Sequence, residues 1–327
     1  MPTTVLVTGG AGYIGAHACL ALHQAGFLPV TLDDFSAGQR SRVQWGPLVT
    51  ADVRDAAAVN AAFAQYQPQA VLHFAGQISV PESVQQPLHA YTTNTLGTVN
   101  VLNAMAQHGC QTLVFSSTAA VYGIPTTVPI PETAPLAPIN PYGQSKLMVE
   151  RILADYAAAN PTFRYAALRY FNAAGATPKA SLGYQRPNPF HVVPMVLRAT
   201  LGLADPLKVF GTDYPTPDGT AIRDYLHVTD LAHAHVLALQ HLLTGQPNLT
   251  LNLGTSRGYS VAEVLATAAT ITGRPVPHTQ APRRAGDPPQ LVADATQAAT
   301  VLGWQPQHSS LANILATDWA WHQTLAA

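Results

Sequence analysis

The sequence predicts an α/β fold: a Rossmann-like doubly wound parallel sheet joined to a smaller, loop-rich lobe. Three observations predict it. Short apolar runs alternate with longer amphipathic stretches through the first half, which is the rhythm of βαβ units. A glycine-rich loop separates the first apolar run from the first helical pattern, where such sheets bind ligands. Between residues 173 and 224 the periodicity weakens under turn residues, among them Pro178, Pro206, Pro215, Pro217 and Gly219, and a second lobe begins.

Taken in order, residues 5–7, 30–32, 70–74, 112–115 and 165–168 read as parallel strands, with a helix at 16–25 after the glycine loop. Beyond the loop-rich stretch, 228–243 reads as helix, 249–253 as strand and 261–271 as helix again. We therefore expect a first domain over 1–172 and a second lobe over 173–327, with a segment near 228–255 returning to the first.

The loop reads Thr8-Gly9-Gly10-Ala11-Gly12-Tyr13-Ile14-Gly15. Gly9, Gly12 and Gly15 permit a tight turn and let the backbone approach a pyrophosphate at the positive end of a helix. Asp33 closes the second strand, 18 residues after Gly15, where a carboxylate bonds a ribose 2′-hydroxyl and repels a 2′-phosphate. NAD is thus favoured over NADP, although Arg40 and Arg42 follow in a polar loop where an arginine could hold that phosphate.

The chemistry lies further on, in PYGQSK. Tyr142 and Lys146 are four residues apart, on one face of a helix. An unperturbed phenol titrates near ~10, so a tyrosine acts as a base at neutral pH only beside a positive charge. Lys146 is one of only three lysines in the chain and can supply it. Ser116, Ser117 and Thr118 end a strand at the sheet edge where ligands bind; they could merely cap that strand, yet Thr118 completes a hydroxyl, phenol and ammonium set suited to hydride transfer at a carbinol.

Nine motifs occur in order along the chain: TGGAGYIG, DVR, HFAG, PESV, FSSTAAVYG, PYGQSKLMVE, LRYFNAAG, DGTAIRDYLHV and APRRAGD. Together they resemble the UDP-glucose 4-epimerase family of extended short-chain dehydrogenases. The resemblance implies that Thr118, Tyr142 and Lys146 are catalytic. It implies NAD contacts from Gly9, Gly12, Tyr13, Ile14, Gly15, Asp33, Asp52, Val53, Phe74, Ala75, Gly76, Asn94, Ser116, Tyr142, Lys146 and Tyr170. A UDP-hexose would meet Thr118, Asn172, His191, Phe210, Arg223, Tyr225, Arg284, Asp287 and Leu291. Asn172, Arg223 and Arg284 would take the diphosphate, and Asp287 the uridine ribose. Arg223 could instead pair with the adjacent Asp224, and Arg284 could sit in a solvated loop. The sequence departs from the family pattern at Ile78, His191 and Leu291, which stand where a lysine, an asparagine and a tyrosine are frequent. The resemblance also implies a homodimer formed by the helices around 91–106 and 142–159.

Composition narrows the alternatives. A formal net charge of -1 over 327 residues, without a basic run, gives no footprint for nucleic acid or anionic membrane. No apolar run reaches the roughly 18 residues of a membrane span, and no leader precedes the first strand, so a cytoplasmic protein is expected. Cys19 and Cys110 are too far apart in pattern to suggest a disulfide framework. His227, His233, His235 and His241 do not share a helix face with a carboxylate or thiol cluster, so no metal site is expected. A nucleotide-sugar 4,6-dehydratase or decarboxylase would begin with the same oxidation. Related dehydratases carry an Asp-Glu pair after the threonine to remove water, and some decarboxylases keep a glutamate there; Ala119 and Ala120 stand at those positions. A non-catalytic dinucleotide sensor would have no use for the Tyr142–Lys146 pair.

Overall fold

The computed structural model describes residues 2–186, 189–284 and 286–326. Contacts divide the chain into two units, the first made of residues up to Gly123, Leu136–Tyr170 and Ala232–Leu251. Its sheet has seven strands: β1 (Thr4–Thr8), β2 (Leu28–Asp33), β3 (Leu48–Thr50), β4 (Ala70–His73), β5 (Thr112–Thr118), β6 (Arg164–Tyr170) and β10 (Leu249–Leu253). The spatial order is β10-β6-β5-β4-β1-β2-β3, and the pairs from β3 through to β6 are parallel. Strand order reverses between β1 and β4, which opens a crevice at their carboxyl ends.

Parallel strands covered on both faces are apolar nearly throughout. Accordingly β4 and β5 are buried along their whole length. Leu6, Val30, Val71 and Phe115 from the strands pack with Phe63, Met105 and Val149. These last three belong to covering helices, drawn from α1 (Tyr13–Gln24), α2 (Ala56–Tyr66), α3 (Val80–Gln85), α4 (Pro87–Tyr91), α5 (Gly97–Gln107) and α6 (Pro141–Ala159). Helix starts follow local chemistry. The Asp55 side chain accepts from the Ala57 and Ala58 amides at the head of α2. The Asn140 side chain accepts from Gly143 N and Pro141 takes the first helical position of α6, where its missing N–H costs nothing.

The second unit comprises Ile124–Pro135, Phe171–Leu231 and Asn252 onward. Here the sequence reading placed 124–135 and residues 171 and 172 in the first domain. Ile130 explains the difference: its amide donates to Val292 O at 2.8 Å and its carbonyl accepts from Asn252 Nδ2 at 2.8 Å. Strand β9 (Ile222–His227) pairs with β7 (Asn172–Ala174), β11 (Gly258–Ser260) and β13 (Gln290–Leu291), while β8 (Leu207–Phe210) pairs with β12 (His278–Ala281). Helices α7 (Val192–Thr200), α9 (Val261–Thr272), α10 (Thr296–Leu302) and α11 (Leu311–Ala326) accompany them, and α8 (Val228–Leu243) passes from this unit into the first. Among its described residues, the stretch expected to be loop-rich thus contains helix α7 and strand β8, with β7 and β9 at its two ends. Pro194 lies in the first turn of α7, where proline is tolerated.

Candidate active site

Strand β1 ends at Thr8 and α1 begins at Tyr13, so Gly9–Gly12 carries the chain from the sheet into a helix N-terminus. Gly9 has φ of 69°, and a Cβ on it would lie 2.7 Å from the Ala75 amide nitrogen beyond β4. Only glycine meets both demands. A Cβ on Gly15 would overlap the Gly9 carbonyl oxygen, so glycine there lets the first turn of α1 seat against the loop. Gly12 caps α1 without a side-chain bond, and no acidic residue occupies the first turn. No side-chain cap or carboxylate in the first turn therefore competes with an anion at this helix end.

Asp33 lies beside this loop, its Oδ2 accepting from Ala11 N at 2.9 Å and its Oδ1 from Phe35 N at 2.8 Å. Burial pushes its carboxyl up from the usual carboxylate range against those bonds. Each oxygen keeps a lone pair for a hydroxyl donor. Amides for a pyrophosphate and a carboxylate for a ribose make the cradle fit a dinucleotide without a 2′-phosphate.

Across the crevice, β4 ends in His73, which is buried and pushed down to about 3 by burial and by the Lys146 charge. Its tautomer follows from its neighbours. Thr98 Oγ1 donates to Asn94 O at 2.6 Å and so accepts from His73 Nε2 at 2.9 Å, leaving His73 Nδ1 to accept from Thr8 Oγ1 at 2.6 Å. This chain ties β1 and β4 to a π-helical turn at Thr92–Leu96, a feature frequent at functional sites. Within the turn, Asn94 Oδ1 accepts from Gln77 N at 2.7 Å and Nδ2 donates to Ser145 Oγ at 2.9 Å. Ser145 Oγ in turn donates to Tyr142 O at 2.7 Å.

Helix α6 lies against the end of β5. The Tyr142 hydroxyl, on α6, is hydrogen-bonded to Thr118, the last residue of β5; burial pushes the phenol up and the Thr118 bond pulls it down, with a net rise. Lys146 is buried, and burial lowers its ammonium to about 8. Its Nζ donates to Ser116 O at 2.9 Å and stands 4.9 Å from the Phe115 ring centre. The ammonium thus bonds the strand rather than the phenol. A spacing of four shares a face, yet the four-carbon stem reaches past the tyrosine to a carbonyl that needs a donor. Ser116 Oγ bonds Tyr170 OH, and His235 sits between rings, 5.8 Å from Tyr170 and 4.8 Å from Phe74.

In the second unit a cleft of about 180 Å³ is lined by Asn172, Phe190, His191, Phe210, Arg223, Tyr225, Arg284 and Asp287 among others. Arg223 Nη2 meets Asp287 Oδ1 at 2.5 Å. It does not pair with its neighbour Asp224, which is fully buried and accepts from Thr255 N, Thr255 Oγ1 and Ala293 N. Arg284 lies 3.9 Å over the Phe210 ring. Asn172 spends one amide hydrogen on Asp224 O at 3.1 Å and keeps the other. Burial holds His191 neutral, pushed down to about 4.

The model of the NAD dependent epimerase/dehydratase family matches residues 5–254. The chain belongs to that family. A UDP-glucose 4-epimerase of Azospirillum brasilense is 50% identical over 322 residues, 98% of this chain and 92% of that one. Among solved structures, a UDP-glucose 4-epimerase from Brucella ovis in complex with NAD has a TM-score of 0.95 at 46% identity, covering 97% of this chain and 98% of that one. A UDP-glucose-4-epimerase from Stenotrophomonas maltophila with bound NAD and formylated UDP-arabinopyranose has a TM-score of 0.96 at 42% identity, covering 99% of each chain.

For this epimerase/dehydratase-family member, the structure groups the sequence-derived cofactor and catalytic residues into three sets. Gly9, Gly12, Tyr13, Ile14, Gly15 and Asp33 form the cradle; Phe74, Ala75, Gly76 and Asn94 line up beyond β4; Ser116, Thr118, Tyr142, Lys146 and Tyr170 cluster at the ends of β5 and β6. Asp52 is half-exposed and paired with Arg54 at 2.5 Å, and Val53 beside it is buried. Leu291 is half-buried in β13, in register with Arg223, and does not line the cleft. Lys208 does line it. The sequence reading missed Lys208, though its alternation with Phe210 along a strand was a usable signal. Glu150 and Arg169 were missed as well, although Glu150 repeats the four-residue spacing of Tyr142 and Lys146; no spacing announces Arg169. Among the described residues no three His, Cys, Asp or Glu side chains group to hold a metal ion, and no helix is long and apolar enough to cross a membrane.

Proposed function

We propose that this chain is an NAD-dependent isomerase that interconverts UDP-galactose and UDP-glucose through transient oxidation at C4. The observation that carries the reading is the Thr118–Tyr142 hydrogen bond with buried Lys146 one helical turn away, in a chain whose relatives are UDP-glucose 4-epimerases over nearly their full length. Gly9, Gly12, Gly15 and Asp33 hold the dinucleotide. Bound NAD supplies a hydride acceptor that gives back what it takes.

As the phenolate, Tyr142 accepts the proton of the sugar 4-hydroxyl, and the phenol so formed returns it at the end of the cycle. Thr118 donates to the same oxygens and keeps the phenol aligned. Lys146 places a positive charge one turn from the phenol and draws β5 onto α6 through Ser116 O. Asn172, Arg223, Arg284 and Asp287 take the UDP portion, the arginine forks matching phosphate oxygens. Holding the nucleotide firmly and the sugar loosely lets the 4-ketose turn over before the hydride returns to its opposite face. Ala119 and Ala120 bring no proton-shuttling group to the next carbons, which argues against elimination. Purified protein incubated with UDP-galactose and no added nucleotide should yield UDP-glucose; a requirement for stoichiometric NAD would instead mark an ordinary dehydrogenase.

UDP-N-acetylhexosamines are a second substrate class in this reading; Leu291, shorter than the tyrosine frequent at its position, does not itself line the cleft and would act from beside Arg223 on the neighbouring strand. Pocket discrimination by bulk is worth ~1 to 3 kcal/mol. Leu291→Tyr should therefore cut kcat/KM for UDP-N-acetylgalactosamine by ~10-fold or more while sparing UDP-galactose. Equal effects on both classes would remove Leu291 from the argument. A homodimer belongs to the same proposal, supported by Val84, Leu88, Leu96 and Met148, large apolar residues left exposed on α3, α4, the π-helical turn and α6. Two free, buried thiols, Cys19 and Cys110, suit a reducing, cytoplasmic setting, which fractionation of the source cells would check.

A further inference from the structure

Beneath Thr118 lies a buried ion pair that the reaction does not use directly. Arg169, on β6, meets Glu150, on α6, with Nη2 at 2.6 Å from Oε2 and Nε at 3.0 Å from Oε1; the side chains are only 5% and 8% exposed. Two hydroxyls complete the cluster. Ser117 Oγ donates to Glu150 Oε1, and Arg169 Nη1 donates to Tyr122 OH at 2.9 Å. Ser117 immediately precedes Thr118, and Tyr122 closes the 3₁₀ turn Ala119–Tyr122 that follows it. The pair therefore grips the backbone on both sides of Thr118.

Glu150 continues the row begun by Tyr142 and Lys146, at i, i+4 and i+8 on one face of α6. Two successive residues of β5 are thereby fastened to successive turns of that helix, Ser116 O to Lys146 and Ser117 Oγ to Glu150. Thr118, next along the strand, is the residue whose hydroxyl pulls the Tyr142 phenol down. Apolar side chains of equal volume would hold helix to strand as well as a buried ion pair does. What they would lack is direction: one carboxylate and one guanidinium fix the placement of two hydroxyls.

We propose that Glu150 and Arg169 are positioning residues that set the Thr118–Tyr142 hydrogen bond through Ser117 and Tyr122. The inference rests on the reading of Tyr142 as the proton acceptor. Breaking the ion pair itself would strand a buried charge, so the test removes only the two hydroxyls, with Ser117→Ala, Tyr122→Phe and the double variant. Three quantities are measured: kcat and KM for UDP-galactose, melting temperature, and the pH titration of Tyr142 by ¹³Cζ-tyrosine NMR, assigned by its loss in Tyr142→Phe. Positioning predicts a fall in kcat of about tenfold or more with KM within about twofold in the double variant. It also predicts that Tyr142 titrates at higher pH, because a loosened Thr118 bond no longer favours the phenolate. A lowered melting temperature with kcat and the Tyr142 titration unmoved would overturn the proposal and leave the pair a stabilising device. The single variants give the same readings should the double fail to fold. If the wild type turns over no UDP-galactose, the function reading fails, and the Tyr142 titration still decides this one.

Discussion

Tyr142 is where burial and hydrogen bonding oppose each other. Burial penalises the phenolate and Thr118 favours it, while Lys146, itself lowered to about 8 by burial, stands close to its midpoint at working pH. Lys146 is the poised group of the two; the phenol, raised by burial, acts as a base only with positive charge close by. Tyr142→Phe keeps the ring and removes the proton acceptor. It should fold as the wild type does and lose nearly all turnover. Retention of more than about a tenth of the activity, under ~1.4 kcal/mol of barrier, would assign the base elsewhere.

Among the elements, α6 does the most. One face carries Tyr142, Lys146 and Glu150 toward β5, and Met148 on it remains 39% exposed while Leu88 on α4 remains 79% exposed. Helices α3 and α4 and the π-helical turn all pack on α6, so their uncovered apolar side chains sit around the helix that carries the reactive residues. Exposed groups of this kind mark partner surfaces. Leu88→Glu combined with Met148→Glu should convert a dimer to a monomer by analytical ultracentrifugation. A monomeric wild type, or an unchanged dimer in the variant at equal concentration, would sink the dimer proposal.

For the whole molecule, buried neutral histidines set the response to acid. His73 is pushed down to about 3 and His227 to about 4, chiefly by burial. His227 Nδ1 accepts from Thr229 N at 3.1 Å, so its Nε2–H faces Thr317 Oγ1 at 3.1 Å. In the unfolded chain both titrate near ~6.5. Their folded values are depressed, so the stability they contribute is complete above that pH and is lost as pH falls, by about 1.4 kcal/mol per unit each. Asp224 works the other way. Its carboxyl is raised to about 6 by burial, so the folded state takes up a proton first as pH falls through 6 and recovers about 1.4 kcal/mol by pH 5. His73 and His227 together lose about 3 kcal/mol between pH 6.5 and 5, and Asp224 returns a little over 1. His191, likewise pushed down to about 4 by burial, brings the net loss to roughly 3 to 4 kcal/mol. Denaturant titrations at the two pH values would measure it, and His227→Gln should lose about 2 kcal/mol less. Equal stabilities at both pH values would refute the assignment.

The sequence by itself determined the parallel sheet, the glycine turn from β1 into α1 and the placing of Tyr142 and Lys146 one helical turn apart, because each is written in local patterns. Apolar runs of strand length, glycines at three-residue spacing and a Tyr–Lys pair at helical spacing all act over a few residues, where sterics and periodicity are read directly. It did not determine α7, lost among the turn residues between 173 and 224, or that Ile124–Pro135 would be held through Ile130 by Val292 and Asn252. Only the tertiary structure decided that Arg223 pairs with Asp287 and not with Asp224, that Lys146 reaches Ser116 and not the phenol, and that Glu150 and Arg169 clasp the chain around Thr118. Those choices depend on which donor meets which acceptor when segments distant in sequence are packed together. Burial then makes each unpaired group so costly that one pairing prevails.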